Sequence, residues 1–254
     1  MPRLGEKTVI VTGAGRGYGR SFAEAAAREG ARVVLVSRTL SECAEVARRL
    51  SDAGAAALPL QADIANEDDV SRMVDAALSK FGTIDVLVNN AGYPGSAQDL
   101  TEISLEEWRQ TFSVNVHGPF LCTRAVLGHM YGRRSGHIVN VTSGTSAWPR
   151  HRHFRSVPYT VTKAAIDGFS WTLSVRCEPH GVKVNAFIPG LAETRLLADM
   201  PKGFLSGKRC QTVEHVQEPF IDLLTADYPS GEPFDALKWL GSRGLLEKYT
   251  YVHE

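Results

Sequence analysis

Tyr159 and Lys163, in Tyr-Thr-Val-Thr-Lys, are the residues of this 254-residue chain best suited to moving a proton. A helix sets positions four apart on one face, one turn from each other. A free phenol has a pKa of about 10, too high for an efficient base near neutrality, and a neighbouring ammonium favours the phenolate. A second group with chemical potential is Thr12-Gly13-Ala14-Gly15-Arg16-Gly17-Tyr18-Gly19. Glycines spaced in this way let the chain turn tightly, let backbone N–H groups approach a pyrophosphate and let the next helix pack close to its strand. The helix N-terminus adds a field that favours anions. Such glycines can also simply end a strand. Placed between a first strand and a first helix, they point to a dinucleotide.

The end of the second strand bears on which dinucleotide. Sites for NAD usually carry an acid there, about 20 residues past the turn, to hold the ribose hydroxyls. This chain has Ser37-Arg38-Thr39. Arg38 can pair with a 2′-phosphate, Ser37 can hydrogen-bond it, and Arg16 can reach the same group from the glycine turn. The alternative is that both arginines are solvated loop residues. The expectation is NADP(H) rather than NAD(H).

Short β-branched runs alternate with helical stretches along the chain. Thr8–Thr12, Arg32–Val36, Ala56–Gln61, Asp85–Val88, His137–Val141 and Val182–Ile188 read as strands. Arg20–Glu29, Ser41–Ala53 (with Ser41 as N-cap), Asn66–Phe81 and Tyr159–Glu178 read as helices, and Leu105–Tyr131 as one long or two joined helices with Gly118-Pro119 as a kink. This alternation predicts a doubly wound α/β fold of Rossmann type, a parallel sheet with helices on both faces. With no repeat, linker or charge block in sight, residues 1–254 are expected to form a single domain, diverging from about residue 191.

Composition removes other classes. With 28 basic and 28 acidic residues the net charge is zero, so the electrostatic case for a nucleic-acid or membrane-surface binder is absent. The longest apolar runs are too short to cross a bilayer, and no leader-like segment precedes the first strand. Cys43, Cys122, Cys177 and Cys210 are scattered, which argues against disulfides or a metal site and suits a reducing cytoplasm.

Asn89-Asn90-Ala91-Gly92 after the fourth strand, Asn115, and Ser143 after the fifth complete a pattern with the glycine turn and Tyr159…Lys163. In this order, and at these element ends, the chain resembles the compact branch of the short-chain dehydrogenase/reductase family over roughly residues 5 to 200. The resemblance implies hydride transfer between NADP(H) and a carbinol or carbonyl carbon. Tyr159 would be the general acid/base, and Lys163 would lower its pKa and hold the nicotinamide ribose. Ser143 would bind the substrate oxygen, and Asn115 would order its helix and a water leading from Lys163 to solvent. It also implies cofactor contacts at Gly13, Gly17, Tyr18 and Gly19, at Asp63 and Ile64 for the adenine, and at Asn90 and Gly92 for the adenosine ribose. Ile188, Pro189 and Thr194 would hold the carboxamide, although Pro189-Gly190 is also an ordinary strand-ending turn.

The expected reaction interconverts a secondary alcohol and a ketone on a small-molecule substrate, in a homodimer or homotetramer. A dinucleotide-sensing scaffold without turnover is the alternative from another class, and it has no use for Asn115, Ser143, Tyr159 and Lys163 together. Reduction of an imine or an activated C=C bond on the same fold is not separated by sequence.

Three departures stand out. The interval from Ser143 to Tyr159 is about three residues longer than the family's, and counting back by the usual interval lands on Ser146; the strand-end pattern favours Ser143. The extra residues fall in Trp148–Arg155, where Arg150, Arg152 and Arg155 could hold an anionic group of the substrate, or form a solvated loop or subunit contact. Beyond residue 191 the nearest match to the family's ending, Ser230–Asp235, lacks its last glycines, which puts the last strand and the lid bearing Met200 and Phe204 in doubt. Neutrality also conceals a segregation. From Trp108 to Ile166 there are seven arginines and one lysine and no Asp or Glu, so the segment that holds the expected proton-transfer residues is +8 and the remainder −8.

Overall fold

The computed structural model describes residues 2–146, 156–192, 194 and 209–252. Its first half alternates β1 (Thr8–Thr12), α1 (Gly17–Arg28), β2 (Arg32–Ser37), α2 (Leu40–Asp52), β3 (Ala57–Gln61), α3 (Glu67–Phe81) and β4 (Val86–Asn89). Then come α4 (Leu105–Phe112), α5 (Gly118–Arg133), β5 (Gly136–Val141), α6 (Val157–Cys177) and β6 (Val182–Ile188). The rest holds β7 (Arg209–Gln211), α7 (Gln217–Thr225), β8 (Phe234–Asp235), α8 (Ala236–Ser242), α9 (Leu246–Tyr249) and β9 (Thr250–Val252).

Seven strands form one parallel sheet in the order β3-β2-β1-β4-β5-β6-β8. The central strands are apolar on both faces, as a sheet covered on both sides requires. Val9, Val11, Val33 and Leu35 join Phe22, Phe187 and Phe220 in the core on one side. Ile10, Val34 and Val36 alternate to the other side, with Met73, Leu87, Met130 and Ile138. Strand order reverses between β1 and β4, and in such sheets ligands bind beyond the carboxyl ends of the strands at that reversal. The glycine turn, Asn90 and Ser143 all lie at that edge.

Several boundaries differ from expectation. α1 begins at Gly17, so the last glycines of the turn are already helical. Ser41 does not cap α2; Thr39 occupies the cap position, without a side-chain hydrogen bond. Between α4 and α5 the chain runs through a single wide π turn, Ser113–His117, with Asn115 at its centre, and α5 begins at Gly118-Pro119. α6 starts at Val157, capped by Ser156 Oγ on the Tyr159 amide. The last strand exists as the two-residue β8, with Phe234 beside Phe187 of β6. β7 and β9 form a separate antiparallel ribbon, and Gln211 holds the segment after β6 through Leu191 N–H to its Oε1 (3.1 Å) and its own N–H to Leu191 O (2.8 Å). Met200 and Phe204 lie outside the described residues. Among the described residues no helix is long and apolar enough to cross a membrane.

One buried pair gives the fold a pH dependence. His137 Nε2 of β5 lies 2.9 Å from Asn185 Oδ1 of β6, and Asn185 Nδ2 donates to the carbonyls of Pro229 and Glu232. Burial pulls the His137 imidazole down to about 4. Unfolded, it titrates near 6.5, so between these values the unfolded chain binds the extra proton and stability falls as pH falls. This residue should cost the fold about 3 kcal/mol between pH 7 and pH 4. Urea unfolding of wild type and His137→Gln across that range should show a shallower decline in the variant; parallel declines would remove His137 as a cause.

Candidate active site

The glycine turn is tight because its residues leave no room for more. A Cβ on Gly19 would sit 2.2 Å from Gly13 O and 2.4 Å from Asn90 Nδ2, and one on Gly13 would sit 2.9 Å from Ala91 Cα. Gly13 and Gly17 adopt φ of 66° and 54°, where a side chain is strained. α3, α4 and α6 are capped by Asn66, Ser104 and Ser156 side chains, whereas α1 has no side-chain cap and no acid in its first turn. Its first N–H groups therefore face the strand ends without a side-chain acceptor, which fits the diphosphate of a dinucleotide.

Arg38 is exposed at the end of β2, and Ser37 Oγ accepts the Thr39 amide at 3.1 Å. Arg16 is engaged: its guanidinium meets Glu42 Oε1 at 2.8 Å. Glu42, in the first turn of α2, packs against Gly15, whose Cβ would fall 2.6 Å from Glu42 Cβ. The acid missing from the end of β2 thus reaches the turn from α2.

Asn90 ties β4 to β1. Its Nδ2 donates to Thr12 O at 2.8 Å, and its N–H to Thr12 Oγ1 at 3.0 Å. Asn89 Nδ2 donates to Asn140 Oδ1, and Asn140 Nδ2 to Ser170 Oγ, a buried chain that fixes β4, β5 and α6 together. Ile64 is buried against Gly118 at the start of α5, while Asp63 Oδ1 accepts the Ala65 amide beside it.

The expected proton-transfer residues converge. Asn115 Oδ1 accepts the Tyr93 amide at 2.7 Å, and its Nδ2 donates to Tyr93 O and to Thr162 Oγ1. The π turn is what brings this side chain across to α6. A Cβ on Gly92 would lie 3.6 Å from Asn115 Oδ1 and 3.9 Å from Lys163 Nζ, so all three border one space. Lys163 Nζ donates to Val141 O at 2.7 Å and lies 5.5 Å from the centre of the Tyr159 ring. Tyr159 is hydrogen-bonded to Ser143, whereas Ser146 turns its hydroxyl back to Ser143 O at 2.6 Å. Sequence reasoning expects Lys163 to lower the phenol's pKa. In the structure burial dominates instead and pushes Tyr159 up to about 12, with the Ser143 hydrogen bond opposing it. Burial likewise pulls Lys163 down to about 8. A phenol in this state holds its proton and is a donor at neutral pH.

On the far side, Ile188 and Pro189 end β6. Tyr18 Oη donates to Gly190 O at 3.2 Å, and its ring meets the buried His215 edge-on at 5.7 Å. Both His215 nitrogens face carbonyl oxygens, Nδ1 that of Thr212 and Nε2 that of Pro189. Tyr18 thus braces the turn that follows β6. Thr194 closes across the glycine turn, its Cγ2 3.6 Å from where a Gly17 Cβ would be.

The short chain dehydrogenase family model matches residues 7–203, most of the chain. The chain belongs to the short-chain dehydrogenase/reductase family. It is 36% identical over 203 residues to a 3-oxoacyl-[acyl-carrier-protein] reductase of Synechocystis sp., covering 79% of this chain and 80% of that one. A glucose 1-dehydrogenase 2 of Bacillus subtilis is 34% identical over 198 residues, covering 77% and 76%. Among solved structures, a 3-ketoacyl-(acyl-carrier-protein) reductase of Brucella melitensis complexed with NADH superposes with a TM-score of 0.83 at 33% identity, over 91% of this chain and 97% of that one. A gluconate 5-dehydrogenase of Burkholderia cenocepacia in complex with NADP and tartrate gives 0.82 at 30%, over 92% and 94%. This member of the family is an oxidoreductase fold for a nicotinamide dinucleotide, and its relatives include complexes with either form of that cofactor.

For this short-chain dehydrogenase, Arg150, Arg152 and Arg155 lie outside the described residues. Glu42 and Thr162 are the neighbours of the site that sequence reading overlooks. Thr162 carries a signal, standing three residues after Tyr159 on α6. Glu42 carries none, because only the tertiary fold brings α2 to Gly15. Among the described residues no group of three or more His, Cys, Asp and Glu is placed to hold a metal ion.

Proposed function

We propose that this chain is an NADP(H)-dependent oxidoreductase that interconverts a ketone and a secondary alcohol, with Tyr159 as general acid/base. The observation that carries the reading is the buried Tyr159 phenol, hydrogen-bonded to Ser143 with Lys163 behind its ring. When bound, the dinucleotide supplies the hydride. Tyr159 Oη would give its proton to the carbonyl oxygen of a bound ketone, and Ser143 Oγ would donate a hydrogen bond to that oxygen as charge develops. Lys163 presents its charge beneath the ring and favours the phenolate left behind. Asn115 holds α5, Tyr93 and α6 in the relation this needs. A homodimer or homotetramer is the assembly we propose, supported by Val157, Val161, Trp171 and Val175, which line α6 exposed.

The preference for NADP(H) rests on Arg38. It stands exposed at the end of β2, where an acid would repel a 2′-phosphate. Arg16 can add a second contact, and Glu42 holds it back. A charge-assisted hydrogen bond contributes about 1.5–3 kcal/mol, so Arg38→Ala should weaken NADPH binding by about 10- to 100-fold and leave NADH binding nearly unchanged. Glu42→Gln should release Arg16 and tighten NADPH binding. Dissociation constants from nicotinamide fluorescence decide this; tighter binding of NADH than of NADPH by the wild type would overturn the preference.

A further inference from the structure

The acid-free stretch from Trp108 to Ile166 ends at Asp167, and α6 sets that carboxylate one turn beyond Lys163. Along the helix it is about 6 Å of rise from Lys163 and about 12 Å from Tyr159. Its Oδ1 is shut off from solvent and makes no hydrogen bond of proper geometry, and the same holds for Thr142 Oγ1, on the residue just before Ser143. Burial pushes the Asp167 carboxyl up, against the hydroxyls of Ser146 and Thr142, which flank Ser143, and the charge of Lys163, all of which favour the ionised form. A carboxylate oxygen left unpaired in the interior lowers stability, so packing alone does not account for an acid here.

Lys163 is where the acid acts. The ammonium is 5% exposed and donates to Val141 O. Around it stand Tyr159 and Asp167 from its own helix, neutral Asn115 from the π turn, Gly92 backbone after β4, and the hydroxyl-bearing segment Thr142–Ser146 after β5. Burial drives its proton off, and Asp167 is the charged neighbour that opposes this. Because Asp167 lies twice as far along α6 from Tyr159 as from Lys163, it supports the ammonium more than it repels a phenolate.

We propose that Asp167 is a positioning residue: its carboxylate keeps Lys163 an ammonium ion and joins that charge to the Thr142–Ser146 segment that presents Ser143. The proposal rests on the reading of Lys163 as the partner of Tyr159, and its first test does not require turnover.

That test is a titration of Lys163 by NMR in protein labelled with 15N-lysine, its signal assigned through Lys163→Arg. Lys163 should titrate at about 8 in the wild type. Loss of an opposite charge at this range lowers a lysine pKa by about one unit or more, so Asp167→Asn should titrate correspondingly lower and Asp167→Glu close to wild type. In carbonyl reduction, Asp167→Asn should match wild type near pH 6 and fall about tenfold behind it near pH 8.5. Its melting temperature should not drop, because asparagine keeps the shape of the side chain and removes the cost of holding a carboxylate whose Oδ1 is buried without a hydrogen bond. The same Lys163 titration in wild type and Asp167→Asn overturns the proposal. So does a pH-independent loss of activity accompanied by lower stability, which marks a structural brace. A shifted Lys163 in a protein that reduces no carbonyl compound leaves the role of Asp167 standing and defeats the reaction proposed above.

Discussion

Tyr159→Phe should lower kcat for carbonyl reduction by about a thousandfold while the protein folds and binds NADPH as before. The phenol is 7% exposed and hydrogen-bonded to Ser143, so the substitution deletes one oxygen from a packed site and leaves the ring beside Lys163. In the proposed reaction the substitution removes the proton donor to the carbonyl oxygen, and positioned general acids contribute about 10²- to 10⁴-fold. The cost in stability is one hydrogen bond, about 1 kcal/mol. Affinity for NADPH should stay within about twofold, since a loss confined to the transition state appears in kcat and kcat/KM alike. Ser143→Ala should show the same pattern to a smaller degree, because its hydroxyl supports the same oxygen. Ser146→Ala should not, since its hydroxyl is turned to Ser143 O. Full activity in Ser143→Ala with loss in Ser146→Ala would reverse that assignment.

Gly19→Ala should abolish useful cofactor binding. Its Cβ would stand 2.2 Å from Gly13 O and 2.4 Å from Asn90 Nδ2, and the first of these is backbone. The methyl can be accommodated only by opening the turn between β1 and α1, which moves the first N–H groups of α1, the proposed seat of the diphosphate, and breaks the tie from Asn90 to Thr12. Overpacking costs about 1–3 kcal/mol in stability, or several degrees in melting temperature for a chain this size. Affinity for NADPH should fall about 100-fold or more, as several aligned donors are displaced at once. Gly128→Ala is the control: nothing lies within 4 Å of its added Cβ in α5, and a helical glycine replaced by alanine should gain stability. Equal NADPH affinity in Gly19→Ala and wild type would show that the turn is not the phosphate site.

Much of the scaffold can be read from residues alone, for reasons that differ by element. β1 is legible to the residue because a strand buried on both faces is a continuous apolar run, and β6 because Pro179 and Gly181 before it and Pro189-Gly190 after it mark its ends although Lys183 and Asn185 interrupt it. The start of α1 is hidden, since Gly17 and Gly19 are poor helix formers that tertiary packing makes helical. The π turn at Ser113–His117 has no compositional mark, so Asn115 emerges from resemblance and only the fold shows how it crosses to Tyr93 and Thr162. Glu42 is illegible because its contact with Gly15 joins α2 to the glycine turn, which sequence does not place together. Asp167 is the opposite case, visible at i+4 from Lys163 and at the very end of the acid-free stretch. The burial of its Oδ1, which gives that spacing meaning, is not.

The most direct test of the central claim is NADPH consumption by the wild type and by Tyr159→Phe across a panel of ketones, imines and activated C=C compounds. Ketones should be reduced to secondary alcohols, NADPH should serve better than NADH, and Tyr159→Phe should bind NADPH but lose about a thousandfold in rate. Tight NADPH binding with no ketone reduced, or ketone reduction that survives the loss of the Tyr159 hydroxyl, would contradict that claim.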